Sequence, residues 1–336
     1  MNTPLFIIKW TNYEYWPWWF FYIPVLPYWL WLSIKTRSLA FFTATNTNIE
    51  MGGFFGESKI DILNQIPTHY RPKTIYITSN NPVEAVQQNN FEFPVVAKPN
   101  IGERGFNVEK INSAAELATY HEAVSTEYII QEFIDYSIEL GVLFYRLPNH
   151  DKGLVTSITI KEFLTVTGDG KSTIVELMNQ HTRARFQITA IINKLGEASK
   201  AVIAKGEKVL LEPIGNHCRG TRFINGNHLI NEKLHAVFNT VTKDMAGFYY
   251  GRFDLKVKSI DDLYAGKNIR IMELNGASSE PGHIYDTSYG LINAYKNLMY
   301  HWNILADIAI QNRARGIKPV SFNAIVKTMY THFIAN

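Results

Sequence analysis

The chain has 336 residues, of which 33 are basic and 30 acidic, giving a net charge of +3. This length is enough to bury a sizeable core and predicts two or three domains. The nearly balanced charge, with no dense run of Lys or Arg, does not indicate a nucleic-acid partner. The single cysteine, Cys218, excludes an internal disulfide and a cysteine-built zinc site, and it suits the reducing cytoplasm.

The N-terminal segment is unusually aromatic. Six of the seven tryptophans lie within residues 1–31, and no charged residue lies between Glu14 and Lys35. The tract YWPWWFFYIPVLPYWLWLSI, residues 15–34, is long enough to span a bilayer as a helix. Three prolines would break or kink such a helix: Pro17, Pro24 and Pro27.

Three interpretations of this tract stay open. It lies in the membrane surface with Lys35 and Arg37 near lipid headgroups, it spans the membrane, or it packs on the protein or a partner. Membrane contact is favoured because Trp and Tyr prefer the membrane–water interface. We therefore predict that residues 1–37 are a membrane-associating segment at the cytoplasmic face of the inner membrane.

The next part of the chain, residues 38–90, has the pattern of a small α/β N-terminal domain. SLAFFTAT (38–45) and KTIYIT (73–78) are predicted strands, whereas KIDILNQI (59–66) and NPVEAVQQNN (81–90) are predicted helices. The rest of the chain is predicted to be α+β. Strands often follow one another directly there, so antiparallel pairing should dominate.

Further strands and helices follow in alternation. Strands are predicted in FEFPVVAKPNIGERGFNVEKI (91–111), EYIIQEFI (127–134), SIELGVLFYR (137–146), LVTSITIKEFLTV (154–166), KVLLEPI (208–214), GRFDLKVKS (251–259) and IRIMELNGA (269–277). Helices are predicted within residues 113–124, 167–186, 231–245 and 289–316. Two of these helices begin with the Ser/Thr-x-x-Glu pattern of a capping box: Ser113…Glu116 and Thr173…Glu176.

Two predicted strands carry residues that a buried strand does not usually hold. Asp254 lies in GRFDLKVKS, and Glu273 and Asn275 lie in IRIMELNGA. A carboxylate on an inward strand face is costly unless a positive charge meets it. Two acids and an amide from neighbouring strands would form an all-oxygen site suited to Mg²⁺. The alternative is that Asp254 pairs with Arg252 or Lys256 and that LNG is only a turn.

A lone lysine in an apolar strand precedes a glycine-containing turn. Lys98 lies in PVVAKP, and the turn has the sequence Gly102-Glu103-Arg104-Gly105. A strand–loop–strand hairpin of this kind can fold its backbone N–H groups over polyphosphate, with the lysine as a point charge. The alternative is a plain hairpin whose lysine extends its ammonium to solvent.

The ordered set of these motifs resembles the ATP-grasp superfamily, and most closely its D-alanine–D-alanine ligase and cyanophycin synthetase branches. FPVVAKPNIGERG resembles the family's lysine strand and small-subdomain loop, and VTGDGKSTIVELM resembles a run in cyanophycin synthetases. GRFDLKVK and IMELNGASSEPG resemble its metal-binding strand pair. The resemblance covers about residues 90–310. It implies an ATP-grasp fold, in which two α+β subdomains, 91–165 and 166–336, grip ATP.

The resemblance implies a role for each matching position. Residues that would bind ATP are Lys98, Gly102, Glu103, Arg104 and Gly105 at the phosphates, Gln131, Glu132, Phe133 and Ile134 at adenine, and Glu139 at ribose. Lys161 or Lys171 would supply a second phosphate cation, and spacing does not decide between them. Arg252 would stabilise phosphate or a developing oxyanion. Asp254, Glu273 and Asn275 would hold one or two Mg²⁺ ions, a role that Mn²⁺ can also fill.

The family chemistry implied is ATP-dependent joining of a carboxylate to an amine through an acyl phosphate. The expected partners are small-molecule or lipid-linked carboxylates and amines. PIGNHCRGTRF is the predicted acyl-substrate loop, with His217, Arg219 and Arg222, although a solvated basic loop fits as well. NIEMGGFFGESK, with Glu50, Gly52, Gly53 and Lys59, is a second candidate near substrate. A soluble amino-acid or peptide ligase and a non-catalytic ATP-binding scaffold at the membrane are the alternatives.

Overall fold

The computed structural model describes residues 3–78, 81–102 and 105–333. The helices in these ranges are α1 (Leu5–Thr11), α2 (Trp18–Tyr22), α3 (Leu26–Thr36), α4 (Lys59–Gln65), α5 (Pro82–Gln88), α6 (Ala114–Ala123), α7 (Ile174–Gln180), α8 (Ile188–Leu195), α9 (Glu232–Val241), α10 (Ile260–Ala265), α11 (Leu291–Ala314) and α12 (Phe322–Phe333). The strands are β1 (Thr74–Ile77), β2 (Val95–Pro99), β3 (Glu109–Ile111), β4 (Tyr128–Glu132), β5 (Ile138–Tyr145), β6 (Leu154–Glu162), β7 (Thr165–Thr167), β8 (Lys208–Leu210), β9 (Arg222–Asn225), β10 (Tyr250–Val257) and β11 (Ile269–Asn275).

The strands form two main sheets and one small one. The first sheet has the order β1-β4-β2-β3, the second sheet has the order β11-β10-β5-β6-β9, and β7 pairs with β8. Every strand pair within these sheets is antiparallel. The predicted α+β class with antiparallel pairing is therefore confirmed. Sheet membership crosses the predicted divisions at residues 90 and 165, and the domain division itself stays a prediction.

The central strand of the second sheet separates an apolar face from a charged one. Phe253, Leu255 and Val257 of β10 are fully buried in the main core, where residues of α4, α9 and α10 pack against them. The side chains between them point to the opposite face because strand residues alternate. Arg252, Asp254 and Lys256 therefore share the other face of the sheet.

A β-bulge interrupts the pairing of β10 with β11. Asp254 pairs with Glu273 and Leu255 pairs with Ile271, so Met272 is an extra residue on β11. An extra residue bends its strand and turns its backbone groups away from the ladder. Because β11 is the edge strand of the second sheet, the Met272 carbonyl can accept hydrogen bonds from outside that sheet.

The aromatic N-terminal segment folds as three short helices: Pro17 directly precedes α2, Pro24 lies between α2 and α3, and Pro27 is the second residue of α3. Its inner side packs on α11: Trp29 contacts Trp302 with ring centroids 5.0 Å apart, and Lys35 pairs with Asp307 at 3.1 Å. The Tyr13 hydroxyl donates to the Asp286 carbonyl at 2.7 Å. No helix among residues 3–78, 81–102 and 105–333 is both long and apolar enough to cross a membrane.

The predicted strand SLAFFTAT is wrong. The structure forms a 3-10 helix there, Phe41–Ala44, and residues 40–46 are all buried. A continuous apolar run carries no period that separates a strand from a buried helical turn. Here α11 covers the run: Asn312 donates from its side-chain amide to the Ala44 carbonyl at 2.8 Å.

The two predicted capping patterns differ in detail. Thr173 and Glu176 form a full capping box at the start of α7. At α6 the Ser113 hydroxyl accepts from the Glu116 backbone N–H, but the Glu116 carboxylate accepts from Asn112. Both side chains still satisfy donors that the first helical turn leaves unpaired.

The end of β11 is held by a close backbone contact with the loop at Gly52 and Gly53. The N–H groups of Ala277 and Ser278 donate to the carbonyls of Gly52 and Gly53, each at 3.0 Å. Gly53 has φ +79°, and a Cβ there would lie 2.7 Å from the Gly276 Cα. Only glycine allows these two backbone segments to approach this closely.

We expect Gly53→Ala to destabilise the protein more than Gly56→Ala. Gly56 has nearly the same φ, +78°, but nothing lies within 4 Å of an added Cβ. Both substitutions carry the left-handed strain of about 1–2 kcal/mol, and Gly53→Ala adds an overpacking cost of about 1–3 kcal/mol. Urea unfolding of the two variants measures the difference, and equal midpoints would contradict the backbone contact.

Candidate active site

A cavity of about 1180 Å³ lies between the first sheet and the charged face of the second. Strands β2 and β4 contribute Lys98 and Gln131, and β10 and β11 contribute Asp254 and Glu273. The structure thus brings the predicted lysine and the predicted acidic residues into one cleft, although they are far apart in sequence.

Lys98 joins the two sheets across this cleft. Its Nζ donates to the Met272 carbonyl at 2.9 Å and to Gln131 Oε1 at 3.1 Å. Burial lowers the pKa of Lys98 to about 8, although Glu273 and Asp254 favour its charged form. The ammonium is therefore charged at neutral pH, and it is buried at the junction of the two sheets.

The charged face of the second sheet is a network of buried ion pairs. Asp254 Oδ1 lies 3.0 Å from Arg252 Nε and 3.5 Å from Lys161 Nζ. Burial alone would raise the pKa of Asp254, but these two cations outweigh it and hold that pKa below its usual range. Glu139 lies 3.0 Å from Lys161 Nζ and 3.9 Å from Lys256 Nζ, so its single negative charge is shared between two lysines.

The pKa values of the two lysines near Glu139, Lys161 and Lys256, shift in opposite directions. Burial alone would lower the pKa of Lys161, but Asp254 and Glu139 outweigh burial and raise it. Burial dominates for Lys256 and lowers its pKa. Lys256 Nζ donates to the Ile134 carbonyl at 3.0 Å, next to the predicted adenine-binding residues.

Glu273 and Asn275 complete the predicted metal ligands. Glu273 lies opposite Asp254 in the strand register, and Asn275 lies opposite Arg252. Within the described ranges the Glu273 carboxylate accepts no hydrogen bond, and Asn275 Nδ2 donates to Asp254 Oδ2 at 3.4 Å. Two facing carboxylates and an amide are the hard oxygen donors that Mg²⁺ prefers, so this donor set fits the ion. Among residues 3–78, 81–102 and 105–333, no three His, Cys, Asp or Glu side chains form a metal-binding group.

A glycine on the neighbouring strand leaves space beside these ligands. Gly141 of β5 lies opposite Asp254, and a Cβ there would lie 3.2 Å from Asp254 Oδ1. Any larger residue would press on the carboxylate. The absent side chain keeps the carboxylate open to the cleft.

Cations from elsewhere in the fold hold both ends of the predicted phosphate loop. Lys59 Nζ donates to the Gly102 carbonyl at 2.6 Å. Arg219 Nη1 donates to the Val108 carbonyl at 2.6 Å and to the Gly105 carbonyl at 3.5 Å. Gly102 and Gly105 line the cavity. The two predicted residues between them, Glu103 and Arg104, lie outside the described residues.

The predicted adenine residues line the cavity where β4 ends. Gln131 Nε2 donates to Thr74 Oγ1 at 3.1 Å, which fixes its amide beside Lys98. The Glu132 carboxylate accepts from the Lys73 N–H at 3.2 Å. The Phe133 ring lies under Lys110 Nζ, 4.2 Å from its centroid, so the lysine covers one ring face.

The predicted acyl-substrate residues do not converge. His217 lines the cavity, and its Nε2 lies 3.3 Å from Glu14. Arg219 is paired with Glu212 at 3.1 Å, and Arg222 is half-exposed beside Glu162 at 3.4 Å.

The two candidate phosphate lysines lie in different places. Lys161 is buried in the cleft, whereas Lys171 is exposed on a turn outside it. In the second candidate loop, Gly52 and Gly53 contact the end of β11, and Glu50 is exposed.

A partly buried carboxylate that the sequence analysis missed, Glu280, lies beside Arg252 in the cavity wall. The Arg252 guanidinium donates to the Glu280 carbonyl at 3.4 Å, and the Tyr285 hydroxyl donates to the Glu280 carboxylate. Burial raises the pKa of Glu280 to about 7, which the Tyr285 hydrogen bond only partly opposes. Its position within SSEPG, directly after the strand, was the available sequence signal.

The aromatic segment also reaches the site. Glu14, in the 3-10 turn Tyr13–Tyr15, forms an ion pair with Arg183 and lies 3.3 Å from His217 Nε2. Burial alone would raise the pKa of Glu14, but the hydrogen bond with His217 and the charge of Arg183 outweigh burial and lower it. The last charged residue before the aromatic tract therefore points inward and fixes the segment against the His217 loop.

Comparison with known proteins gives fold similarity only. No family model and no curated protein matches the chain. Among solved structures, D-alanine–D-alanine ligase from Bacillus anthracis is similar, with 16% identity and a TM-score of 0.42 over 77% of this chain and 69% of that one.

Two other solved structures are also similar, but this chain covers a smaller share of each of them. The bifunctional glutathione synthetase from Pasteurella multocida has 16% identity and a TM-score of 0.35, covering 70% of this chain and 35% of that one. The D-Ala:D-Ser ligase from Enterococcus faecalis has 15% identity and a TM-score of 0.38, covering 69% of this chain and 57% of that one. At these identities and TM-scores the likeness assigns no activity to this chain.

Proposed function

We propose that this protein is an ATP- and Mg²⁺-dependent ligase that joins a carboxylate to an amine. The observation that carries the proposal is the cleft itself. Lys98 of the first sheet bonds to the bulge at Met272, one residue from Glu273, and Asp254 lies directly opposite Glu273. A phosphate chain placed there has a buried cation on one side and oxygen ligands for its metal on the other.

The remaining cleft residues support a specific placement of ATP. Lys98 and Lys161 contact the phosphates, and the loop at Gly102 and Gly105 covers them. Adenine lies against residues 131–134, near the Ile134 carbonyl that Lys256 fixes at 3.0 Å. Ribose lies near Glu139, whose carboxylate also lies 3.0 Å from Lys161 Nζ and 3.9 Å from Lys256 Nζ.

Asp254, Glu273 and Asn275 would hold one or two Mg²⁺ ions. Bound there, the metal supplies charge neutralisation for the phosphates. The chain's own contribution is positional: Gly141 leaves the space, the bulge sets the register, and Arg252 orients the Asp254 carboxylate through two nitrogen–oxygen contacts, at 3.0 and 3.3 Å.

The proposed reaction has two steps. A substrate carboxylate oxygen attacks the γ-phosphorus, the bond from the γ-phosphorus to the bridging oxygen breaks, and ADP leaves. The amine nitrogen of the second substrate then attacks the acyl carbon, the carbon–oxygen bond to phosphate breaks, and the amine gives up one proton. Arg252 lies beside Asp254 in the cleft, where its charge stabilises the developing oxyanion.

We further propose that the protein works at the cytoplasmic face of the inner membrane on a membrane-linked substrate. Large apolar side chains of the N-terminal segment are exposed: Phe6, Ile7, Trp10, Trp18, Trp19, Phe20, Ile23, Leu26, Leu30, Trp31 and Ile34. A patch of this composition is typical of a surface that enters the headgroup region. Lys35 and Arg37 lie beside it and suit anionic lipid.

Glu273→Gln tests the ligase proposal. Its carboxylate has no hydrogen-bond partner in the part of the chain that the structure describes, and it attracts the Lys98 ammonium only through space, so the change should lower the melting temperature only slightly. Phosphate release from Mg²⁺–ATP, measured with mixtures of carboxylates and amines, should fall by about two to three orders of magnitude. The exposed Glu122→Gln is the matched control and should keep full activity. Unchanged release in Glu273→Gln, or none in the unmodified protein, would refute the assignment.

ATP affinity should weaken as the pH rises through the pKa of Lys98, about 8. Below that pH the ammonium is charged and binds phosphate; above it the neutral amine loses this attraction. We expect roughly a tenfold rise in the dissociation constant between about pH 7 and pH 9.5, the worth of one charged hydrogen bond. Titration calorimetry at several pH values measures it. Lys98→Met should bind weakly and lose this pH dependence, and a Lys98→Met protein that keeps it would contradict the assignment.

Ile34→Glu should weaken binding to phosphatidylcholine–phosphatidylglycerol vesicles by about tenfold or more. The change removes one apolar side chain whose burial in the membrane contributes about 2 kcal/mol to the binding free energy. Ile34 is 77% exposed, and Ile292, at 71%, is the matched control outside the segment. Sedimentation with vesicles measures the bound fraction. The membrane proposal fails if the unmodified protein stays in the supernatant, or if Ile292→Glu loses as much binding.

A further inference from the structure

The cleft does not end at the charged residues. Beyond Arg252 it continues between the aromatic N-terminal segment and α11, where its walls are apolar. We call this end the apolar chamber and define it by six lining residues: Tyr13, Phe21, Tyr22, Leu298, Trp302 and Leu305. Neither the nucleotide nor its metal has a use for such walls.

The size of the cavity leaves room for a second ligand. Pockets that bind one drug-sized molecule measure about 300–1,000 Å³. This cavity measures about 1180 Å³, and its polar and apolar ends are continuous. A nucleotide at Lys98 and Asp254 therefore leaves the chamber available to a substrate group.

A short chain of contacts connects the two ends. Arg252 donates to the Glu280 carbonyl at 3.4 Å, and Tyr285 donates to the Glu280 carboxylate. The Tyr285 ring lies 5.8 Å from the Phe21 ring. A molecule with its carboxylate near Arg252 therefore has its body directed along Tyr285 toward the aromatic segment.

One polar atom in the cavity wall lacks a partner. His301 is 1% exposed, and its Nδ1 lies 3.2 Å from the Tyr250 hydroxyl. Its Nε2 is buried and has no hydrogen-bond partner among the described residues. An unpartnered buried nitrogen is costly unless a ligand or water meets it.

We propose that the apolar chamber binds the body of the carboxylate substrate, and that this substrate is a carboxylic acid with a large apolar group. The inference rests on the proposed ligase function, because that function places the acid's carboxylate beside Arg252. The apolar group can be an acyl chain or an aromatic ring, because both bury apolar surface against the chamber walls. The walls are contributed by the N-terminal segment, which gives that segment a role in substrate selection independent of any membrane contact.

Equilibrium dialysis of the full chain tests the chamber, using radiolabelled dodecanoate, naphthalene-2-carboxylate and butyrate below their micellar concentrations. Dodecanoate, naphthalene-2-carboxylate or both should bind at least about tenfold more tightly than butyrate, since apolar burial drives the binding. Dodecanoate alone identifies an acyl chain, and naphthalene-2-carboxylate alone identifies a ring. Equal binding of all three acids would overturn the proposal.

Leu298→Phe narrows the chamber, because Leu298 is 1% exposed and lines the cavity. It should lower the affinity for the tighter-binding acid about tenfold and leave the affinity for a non-hydrolysable ATP analogue within about twofold. Ile308→Phe is the matched control: Ile308 is equally buried on α11 but does not line the cavity. Unchanged binding in folded Leu298→Phe, or an equal loss in Ile308→Phe, would refute the chamber.

Crosslinking keeps the test decisive if the variants do not fold. A dodecanoate that carries a diazirine at its apolar end should label peptides with Tyr13, Phe21 or Trp302 in the unmodified protein. Labelling only elsewhere would overturn the proposal. The ligase proposal and the chamber proposal can fail separately. If the unmodified protein does not bind the ATP analogue, the ligase proposal is refuted. If it binds the analogue but no apolar acid, only the chamber proposal is refuted.

Discussion

A carboxylate buried in the face of a β-sheet is stable only when cations meet it, and the cleft is organised around this constraint. Asp254 lies within 3.5 Å of nitrogens of both Arg252 and Lys161. Lys161 in turn needs Glu139, and Glu139 also lies near Lys256. Removing one member leaves another charge buried without a partner, which is costly. The network therefore holds β5, β6 and β10 in position relative to one another and keeps the side chains that they contribute charged.

The β-bulge at Met272 connects this network to the other half of the cleft. The bulge lies on β11, the edge strand of the second sheet, and there the Met272 carbonyl accepts from Lys98 of the first sheet at 2.9 Å. Carbonyls of an edge strand that face away from the sheet have no ladder partner and can accept from another part of the fold. This contact couples the predicted phosphate-binding lysine to the predicted metal-binding strand, and it helps to set the width of the cleft between them.

The N-terminal segment has two faces with different physical roles. Its inner face packs on α11, forms part of the cavity wall and is fixed by Glu14 to Arg183 and His217. Its outer face exposes the large apolar side chains that suit a lipid surface. These roles are compatible because short helices broken at prolines can present opposite sides to protein and to solvent. A site that takes an apolar acid and a surface that meets lipid would then lie on the same segment.

The sequence by itself determined the strand β10, because residues 252–257 alternate polar and apolar with period two, and this alternation is local. It also predicted a lysine-bearing strand with a glycine loop, and the helix start at Thr173. It failed at residues 38–45, where the apolar run 39–42 has no period. Only the tertiary structure separated Lys161 from Lys171, found the Met272 carbonyl and placed Glu280 beside Arg252. Those facts depend on which strands pair and what covers them, and such long-range contacts leave no periodic trace in the chain.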